Sequence, residues 1–285
     1  MCDDYFPCVL SWRMVTTWMA VLAFLLGTAT AACAIALPLG SRAVRGLDVS
    51  SYQHAGRPVN WRLLARDGIR FVAIKASEGT YYTNPYFASD TRAAAAAGLS
   101  VVPYVFANPR RAPGAATARF GVAAARYARG AGRLPLELDL ENDPYAAADR
   151  GGNCYGLSVR QAIAWIAAFT AKTAALTGKP PIIYTTAAWW RECTGGTARF
   201  RRDPLWLAAY GTAMPGVPSA WRKWTFWQYD DDTTLPGVGL VDVDVYQATP
   251  ALPALRGVAG HRRVSRRATK VVSKQQFSHR AHHRR

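Results

Sequence analysis

The chain has 285 residues, half of them hydrophobic and 12% aromatic, which allows one large domain or two small ones. Its 35 Lys/Arg outweigh 18 Asp/Glu to give a net charge of +17, and ten of those bases fall between Arg256 and Arg285 with no acid among them. Only His54 lies outside that basic end and no Gly-x-Ser-x-Gly elbow occurs, so a His-rich metal site is excluded from the body and a Ser–His nucleophile would have to use His54.

At the N-terminus, Met14–Gly27 is apolar and is followed by the small residues Thr28–Ala36. That order predicts a secretory leader over 1–36, cut near Ala31–Ala36, and the run is shorter than the ~20 residues a membrane span needs. An uncleaved anchor is the competing reading. At the other end, 256–285 holds too little apolar content to fold and predicts a disordered basic tail. In an exported protein the tail suits anionic cell-wall polymers or a membrane surface. A nucleic-acid role rests on this tail alone and is not expected. Cys2, Cys8 and Cys33 lie in the leader, leaving Cys154 and Cys193 as an isolated pair. In an exported chain such a pair is most simply a disulfide, two buried thiols being the alternative.

Between these ends, 43–253 reads as one domain. β-rich segments recur at Ala43–Val49, Arg70–Ala76, Ser100–Phe106, Leu134–Glu141, Pro181–Thr185, Leu205–Tyr210, Thr225–Tyr229 and Leu240–Tyr246. Helical patterns occupy Val59–Asp67, Asn84–Ala97 and Ala115–Arg129, closed by Gly68, Gly98 and Gly130. Ser158–Thr177 is the clearest helix, with capping-box spacing at Ser158 and Gln161 and a stop at Gly178. Eight strands with helices between the first five predict a single α/β domain, a parallel β/α barrel that is irregular, with fewer helices, in its second half. A doubly wound sheet is the runner-up, but no Gly-x-Gly-x-x-Gly follows the first strand.

Leu134–Asp143 stands apart. Leu136, Leu138 and Leu140 alternate with Glu137, Asp139 and Glu141, so three carboxylates share one side of a strand, each about 6.5 Å from the next. Like charges this close are costly, and a plain strand has no reason to gather them. In such barrels the chemistry sits at the C-terminal strand ends. Asp48 ends the first strand, Glu78 follows the second, Asp139 and Glu141 end the fourth, Asp230 follows the seventh, and Asp242 and Asp244 lie within the eighth. The acids converge on one rim, and Glu137 lies deeper, as a structural group.

Carboxylates beside aromatics are the equipment of glycoside hydrolysis, where one acid stays protonated and another ionised. Asp139, Asp48 and Asp242 together would keep Glu141 protonated. Glu141 reaches one methylene further than Asp139, which makes Glu141 the acid and Asp139 its orienting partner. Tyr104, Phe106, Tyr184, Trp206, Tyr210, Trp227 and Tyr229, at or near strand ends, offer faces for sugar rings. Acids paired with bases on a polar rim, and aromatics that merely pack, are the plain alternatives.

Six ordered segments carry a resemblance: Arg45–Gln53, Phe71–Gly79, Tyr104–Phe106, Leu138–Glu141, Trp227–Tyr229 and Val241–Asp244. Together they resemble family 25 glycoside hydrolases, the lysozymes or N-acetylmuramidases, over about Arg45–Ala251. The resemblance implies a flattened β/α barrel that cleaves the β-1,4 bond between N-acetylmuramic acid and N-acetylglucosamine in peptidoglycan. It puts the acid/base on Glu141 and the supporting acid on Asp139, with Asp48 and Asp242 completing the ring and Asp244 as the fallback. Tyr104, Phe106, Tyr184, Trp206, Tyr210, Gln228 and Glu78 are the expected substrate-binding residues. It also implies a Cys154–Cys193 disulfide, as in actinobacterial-type members. One departure is Val105, where the family often has His. No cofactor or metal is expected, and the enzyme is expected to be a secreted monomer. A non-catalytic wall-binding protein of the same fold and a chitin-cleaving glycosidase are the alternatives.

Overall fold

The computed structural model describes residues 43–127, 134–149, 151–212 and 215–247. The expected leader and basic tail lie outside the described residues. In chain order the elements are β1 (Val44–Val49), α1 (Trp61–Arg66), β2 (Phe71–Glu78), β3 (Tyr82–Thr83), α2 (Phe87–Ala96), β4 (Ser100–Phe106), α3 (Gly114–Ala124), β5 (Glu137–Leu140), α4 (Ala146–Asp149), α5 (Val159–Thr177), β6 (Ile182–Thr186), α6 (Ala187–Thr194), β7 (Leu205–Ala208), β8 (Phe226–Leu235) and β9 (Gly239–Tyr246). A single 3₁₀ turn, Ser51–His54, follows β1.

Eight strands close into a ring in the order β1-β9-β8-β7-β6-β5-β4-β2, with β2 returning to β1 and the two-residue β3 added outside. The expected single irregular α/β barrel is what forms. Its irregularity has a specific source: β9 is antiparallel to both β8 and β1, and all other neighbours in the ring are parallel. Only Pro236–Val238 separates β8 from β9. A parallel return needs a crossover of a dozen or more residues, so a connection this short must be a hairpin.

Strand alternation splits the core into two layers. Outward residues, including Leu47, Val72, Ile74, Leu136, Leu138, Leu140, Ile183, Leu205 and Val243, pack against the helices. Inward residues, including Phe71, Ala73, Val102, Ile182, Trp206, Phe226 and Tyr246, fill the barrel. At the floor, where the parallel strands begin, Trp206 stacks on Phe226 with centroids 4.4 Å apart, and Phe71 meets Phe226 edge-on at 5.4 Å. A Cβ at residue 46 would sit 2.2 Å from the Phe71 ring, so only glycine leaves the floor its aromatic filling.

The longest helix is α5. Ser158 Oγ accepts from Gln161 N–H while the Gln161 side chain accepts from Ser158 N–H, and Gly178 closes the helix with φ +79°. The early helices α1, α2 and α3 are shorter than their sequence patterns by three or four residues each. The helix α6 was not expected: Thr186 ends β6 and at once caps α6, its hydroxyl accepting from Trp189 N–H at 3.0 Å. With no turn residues between strand and helix, the usual punctuation is missing.

Candidate functional site

Inward-facing positions change character going up the barrel. Above the aromatic floor, they become carboxyls, tyrosines and one lysine, and they line a cleft of about 410 Å³. Strand register puts Asp48 directly opposite Asp242, Phe106 beside Asp139, and Asp139 beside Tyr184. Since β9 runs against the other strands, its beginning reaches the rim and its end the floor. Asp242 therefore lies at the cleft, and Asp244 lies two residues deeper, level with Gly46 and Gln228.

Of the expected site residues, Asp48, Asp139, Glu141, Asp242, Tyr104, Phe106, Tyr184, Tyr210 and Gln228 line this cleft, and two do not. Trp206 is buried in the barrel, where its indole N–H donates to Asp244 Oδ1 at 2.9 Å. Glu78 sits behind the cleft wall. Its carboxylate accepts from Lys75 Nζ at 2.7 Å, Tyr81 Oη at 2.6 Å and Tyr145 Oη at 2.7 Å. Glu137, read from sequence as a deeper structural acid, is buried yet also lines the cleft, at its base. Asp230 turns aside to accept from Thr233, and Asp231 takes a place in the lining. Trp227 and Tyr229 face outward into the helix layer. Val105 does too: it packs against Gly121 of α3, so the side chain at that position cannot reach the cleft.

Sequence reasoning passed over Lys75, Ser50, Tyr52 and Gln53, which also line the cleft. A signal was present for each. Lys75 is the one basic residue in a strand buried along its whole length. Ser50 and Gln53 have capping-box spacing, and both reciprocal bonds form. That box presents Tyr52 at the lip, 82% exposed.

Burial governs the electrostatics. Desolvation pushes Glu141 up to about 7; the nearby Lys75 ammonium pulls it down, and Asp242 and Glu78 push it further up. Asp48 is raised to about 6, again chiefly by burial, with Gln228 holding it down. Asp242 rises to about 8 through burial and the facing Asp48, with which it shares a hydrogen bond. Burial lifts Asp139 well above the carboxylate range, and the Glu141 charge adds to this. Asp139 Oδ1 and Glu137 Oε2 are buried with no hydrogen-bond partner among the described residues. Near neutral pH such a cluster holds protons, and it also keeps bases of graded strength within one cavity.

Gln228 organises one wall. Tyr184 Oη donates to Gln228 Oε1 at 2.8 Å and Tyr210 Oη donates to the same oxygen. With the carbonyl oxygen so occupied, the amide nitrogen must face the other way, and Nε2 donates to Asp48 Oδ2 at 2.6 Å. The segment after β5, which carries Glu141, is pinned from outside. The Cys154–Cys193 disulfide ties it to α6, and Trp189 Nε1 donates to Asn153 O at 3.2 Å.

The barrel has counterparts among known proteins. The family model described as Glycosyl hydrolases family 25 matches residues 47–238. The chain belongs to that family. Lysozyme M1 of Streptomyces globisporus is 37% identical over 217 residues, covering 75% of this chain and 71% of its own. The N,O-diacetylmuramidase of a Chalaropsis species is 40% identical over 196 residues, covering 66% of this chain and 88% of its own. In three dimensions, the crystal structure of the bacterial lysozyme from Streptomyces coelicolor superposes with a TM-score of 0.68 at 38% identity, covering 74% of this chain and 96% of its own. As a family 25 member, the chain is a glycoside hydrolase.

Proposed function

We propose that this family 25 hydrolase is a secreted muramidase that cleaves the β-1,4 bond between N-acetylmuramic acid and N-acetylglucosamine in peptidoglycan. The observation that carries this reading is Glu141, half-buried at the cleft and held near a pKa of about 7 by burial, beside the buried Asp139. Glu141 donates a proton to the leaving glycosidic oxygen and afterwards takes one from water. Asp139 accepts from the acetamido N–H of the sugar, turning the acetamido oxygen towards the cationic carbon. Asp48 and Asp242 share a proton opposite, and their residual charge favours the oxocarbenium-like transition state. Tyr52, Phe106 and Tyr210 offer ring surface along the cleft.

Glu141→Gln tests this directly. Release of reducing ends from purified peptidoglycan should fall by about 10²–10⁴-fold while the protein stays folded. Undiminished release rejects Glu141 as the acid. Mass spectrometry of the wild-type products identifies the bond, and a parallel digest of chitin separates a muramidase from a chitin-cleaving relative. A wall-binding protein without catalysis would sediment with cell walls and release nothing. The apolar leader of residues 1–36 and the basic segment 256–285 support export and retention at anionic wall polymers. Removing residues 257–285 should weaken wall binding in a salt-dependent manner and spare cleavage of soluble fragments.

A further inference from the structure

The 3₁₀ turn after β1, Ser51–His54, carries Tyr52, the most exposed large apolar side chain among the described residues, and Tyr52 lines the cleft. Exposed turns are ordinarily mobile, because few contacts hold them. This one is tied to three other elements. Tyr82 Oη of β3 donates to Ser51 Oγ at 2.9 Å, and Gln53 Nε2 donates to the Leu240 carbonyl of β9 at 3.3 Å. His54 Nε2 pairs with Asp90 Oδ2 of α2 at 2.8 Å. None of the four turn residues is buried, so core packing does not account for the bracing.

Of the three ties, the one through His54 has the firmest anchor. Asp90 is a buried carboxyl in the first turn of α2, and a buried acid that loses its partner is costly. The His54 ring also lies flat on Tyr86, with centroids 3.9 Å apart and planes 6° from parallel. Residues 55–58, which follow, are exposed, and Gly56 has φ +111°. His54 is thus the last fixed point before an exposed loop, and releasing it frees the end of the turn just after Tyr52.

His54 is not among the residues that line the cleft, and its side chain is only 8% exposed. It reaches a substrate only through the turn it holds. A flat phenol ring at the lip suits the apolar face of a pyranose, and that fit depends on the angle of the ring as well as its place. A ring offered from a fixed turn costs less ordering entropy on binding than the same ring on a mobile loop.

We propose that His54 and Asp90 are positioning residues for substrate binding: their bond fixes the turn and so holds the Tyr52 ring at the lip, where a sugar of the glycan strand stacks. The proposal rests on the muramidase reading and gives a role to the one histidine of the barrel domain. Its test measures kcat and KM of the full-length enzyme on soluble peptidoglycan glycan strands. Tyr52→Ala should raise KM about fivefold and move kcat little. His54→Ala should raise KM about threefold. The double variant should match Tyr52→Ala alone, because His54 then has no ring left to position. Asp90→Ala should act like His54→Ala, and Asp90→Asn, whose amide oxygen still accepts from His54 Nε2, should restore KM. Should His54→Ala not fold, His54→Phe keeps the stacking on Tyr86 without the bond and carries the same comparison. Effects that multiply in the double variant overturn the proposal. So does a His54 variant that melts earlier with KM unchanged, which is a purely structural role, or an unchanged KM in Tyr52→Ala. If wild type cleaves no strand, the muramidase reading fails. Calorimetric binding of the same strands to wild type and to the Tyr52, His54 and double variants then still decides whether the pair acts through Tyr52.

Discussion

The lower and upper halves of the barrel interior are built by the same strands and obey opposite rules. Below, Phe71, Trp206, Phe226 and Tyr246 pack ring against ring, and buried polar groups are few. Above, Asp48, Glu137, Asp139, Glu141 and Asp242 crowd together, some with unpaired oxygens. Each half depends on the other. The aromatic floor keeps water from entering beneath the acids, and that low polarity holds their protons on at neutral pH. Trp206 joins the halves, with its ring in the floor and its N–H on Asp244. A protein that stores unfavourable charge in its centre needs an unusually well-packed base under it.

The largest effect should come from removing the base. Phe226→Ala deletes a fully buried ring that touches Phe71, Trp206 and Tyr246. It should cost about 3–5 kcal/mol, read from the urea midpoint. A loss under 1 kcal/mol would mean that the floor is not what supports the acids. Gln228→Leu comes next. It strips Asp48 of its donor and leaves the Tyr184 and Tyr210 hydroxyls without their acceptor, at about 1–3 kcal/mol. Because Gln228 holds the Asp48 pKa down, its loss should move the acidic limb of the kcat/KM profile to higher pH. An unmoved limb would assign that limb to another group.

Lys75 and Glu78 offer a smaller and more discriminating test. Lys75 lowers the Glu141 pKa and Glu78 raises it. Lys75→Met should shift the alkaline limb, where the Glu141 proton is lost, upward from about 7; Glu78→Gln should shift it downward. Shifts in one direction for both variants would break the electrostatic account. Last is Glu137→Gln. Burial raises the folded pKa of Glu137 above its ordinary value, so its contribution to stability is full below about pH 4 and is lost as pH rises towards the folded value. Asp48, Glu141 and Asp242 act in the same sense, so the melting temperature of the parent should fall between pH 5 and 8. The Gln variant should melt about 2–4 °C higher than the parent at pH 8, with a flatter pH dependence. Equal slopes would show that Glu137 is neutral throughout that range.

Much of this contrast could be read in the sequence, because it depends on period-two alternation. Leu136, Leu138 and Leu140 against Glu137, Asp139 and Glu141 assigned the outward and inward faces of β5 correctly. The choice between Asp242 and Asp244 was less accessible. It depends on β9 running backwards, and the three-residue link to β8 was the only hint. Trp206 and Glu78 were expected to meet substrate, yet their side chains meet Asp244 and a Lys–Tyr–Tyr cage. Those partners lie 38 residues away for Trp206 and up to 67 for Glu78, and local pattern carries no information about them. Lys75 was overlooked for the opposite reason: one base within the apolar run Phe71–Ala76 resembles an error in the pattern, and its meaning comes only from a closed ring.

The reversed β9 also decides how the molecule presents itself to a surface. Val44 and Tyr246 are paired residues at the floor, so the described barrel begins and ends on the face opposite its cleft. Whatever is joined at either place, whether a leash, a fusion partner or a solid support, holds the molecule from behind. Its mouth is then turned towards the solution. Attachment and orientation come together in this architecture, and preparations of the barrel immobilised directly at residue 44 or 246 should keep their cleft open to a polymer too large to slip underneath.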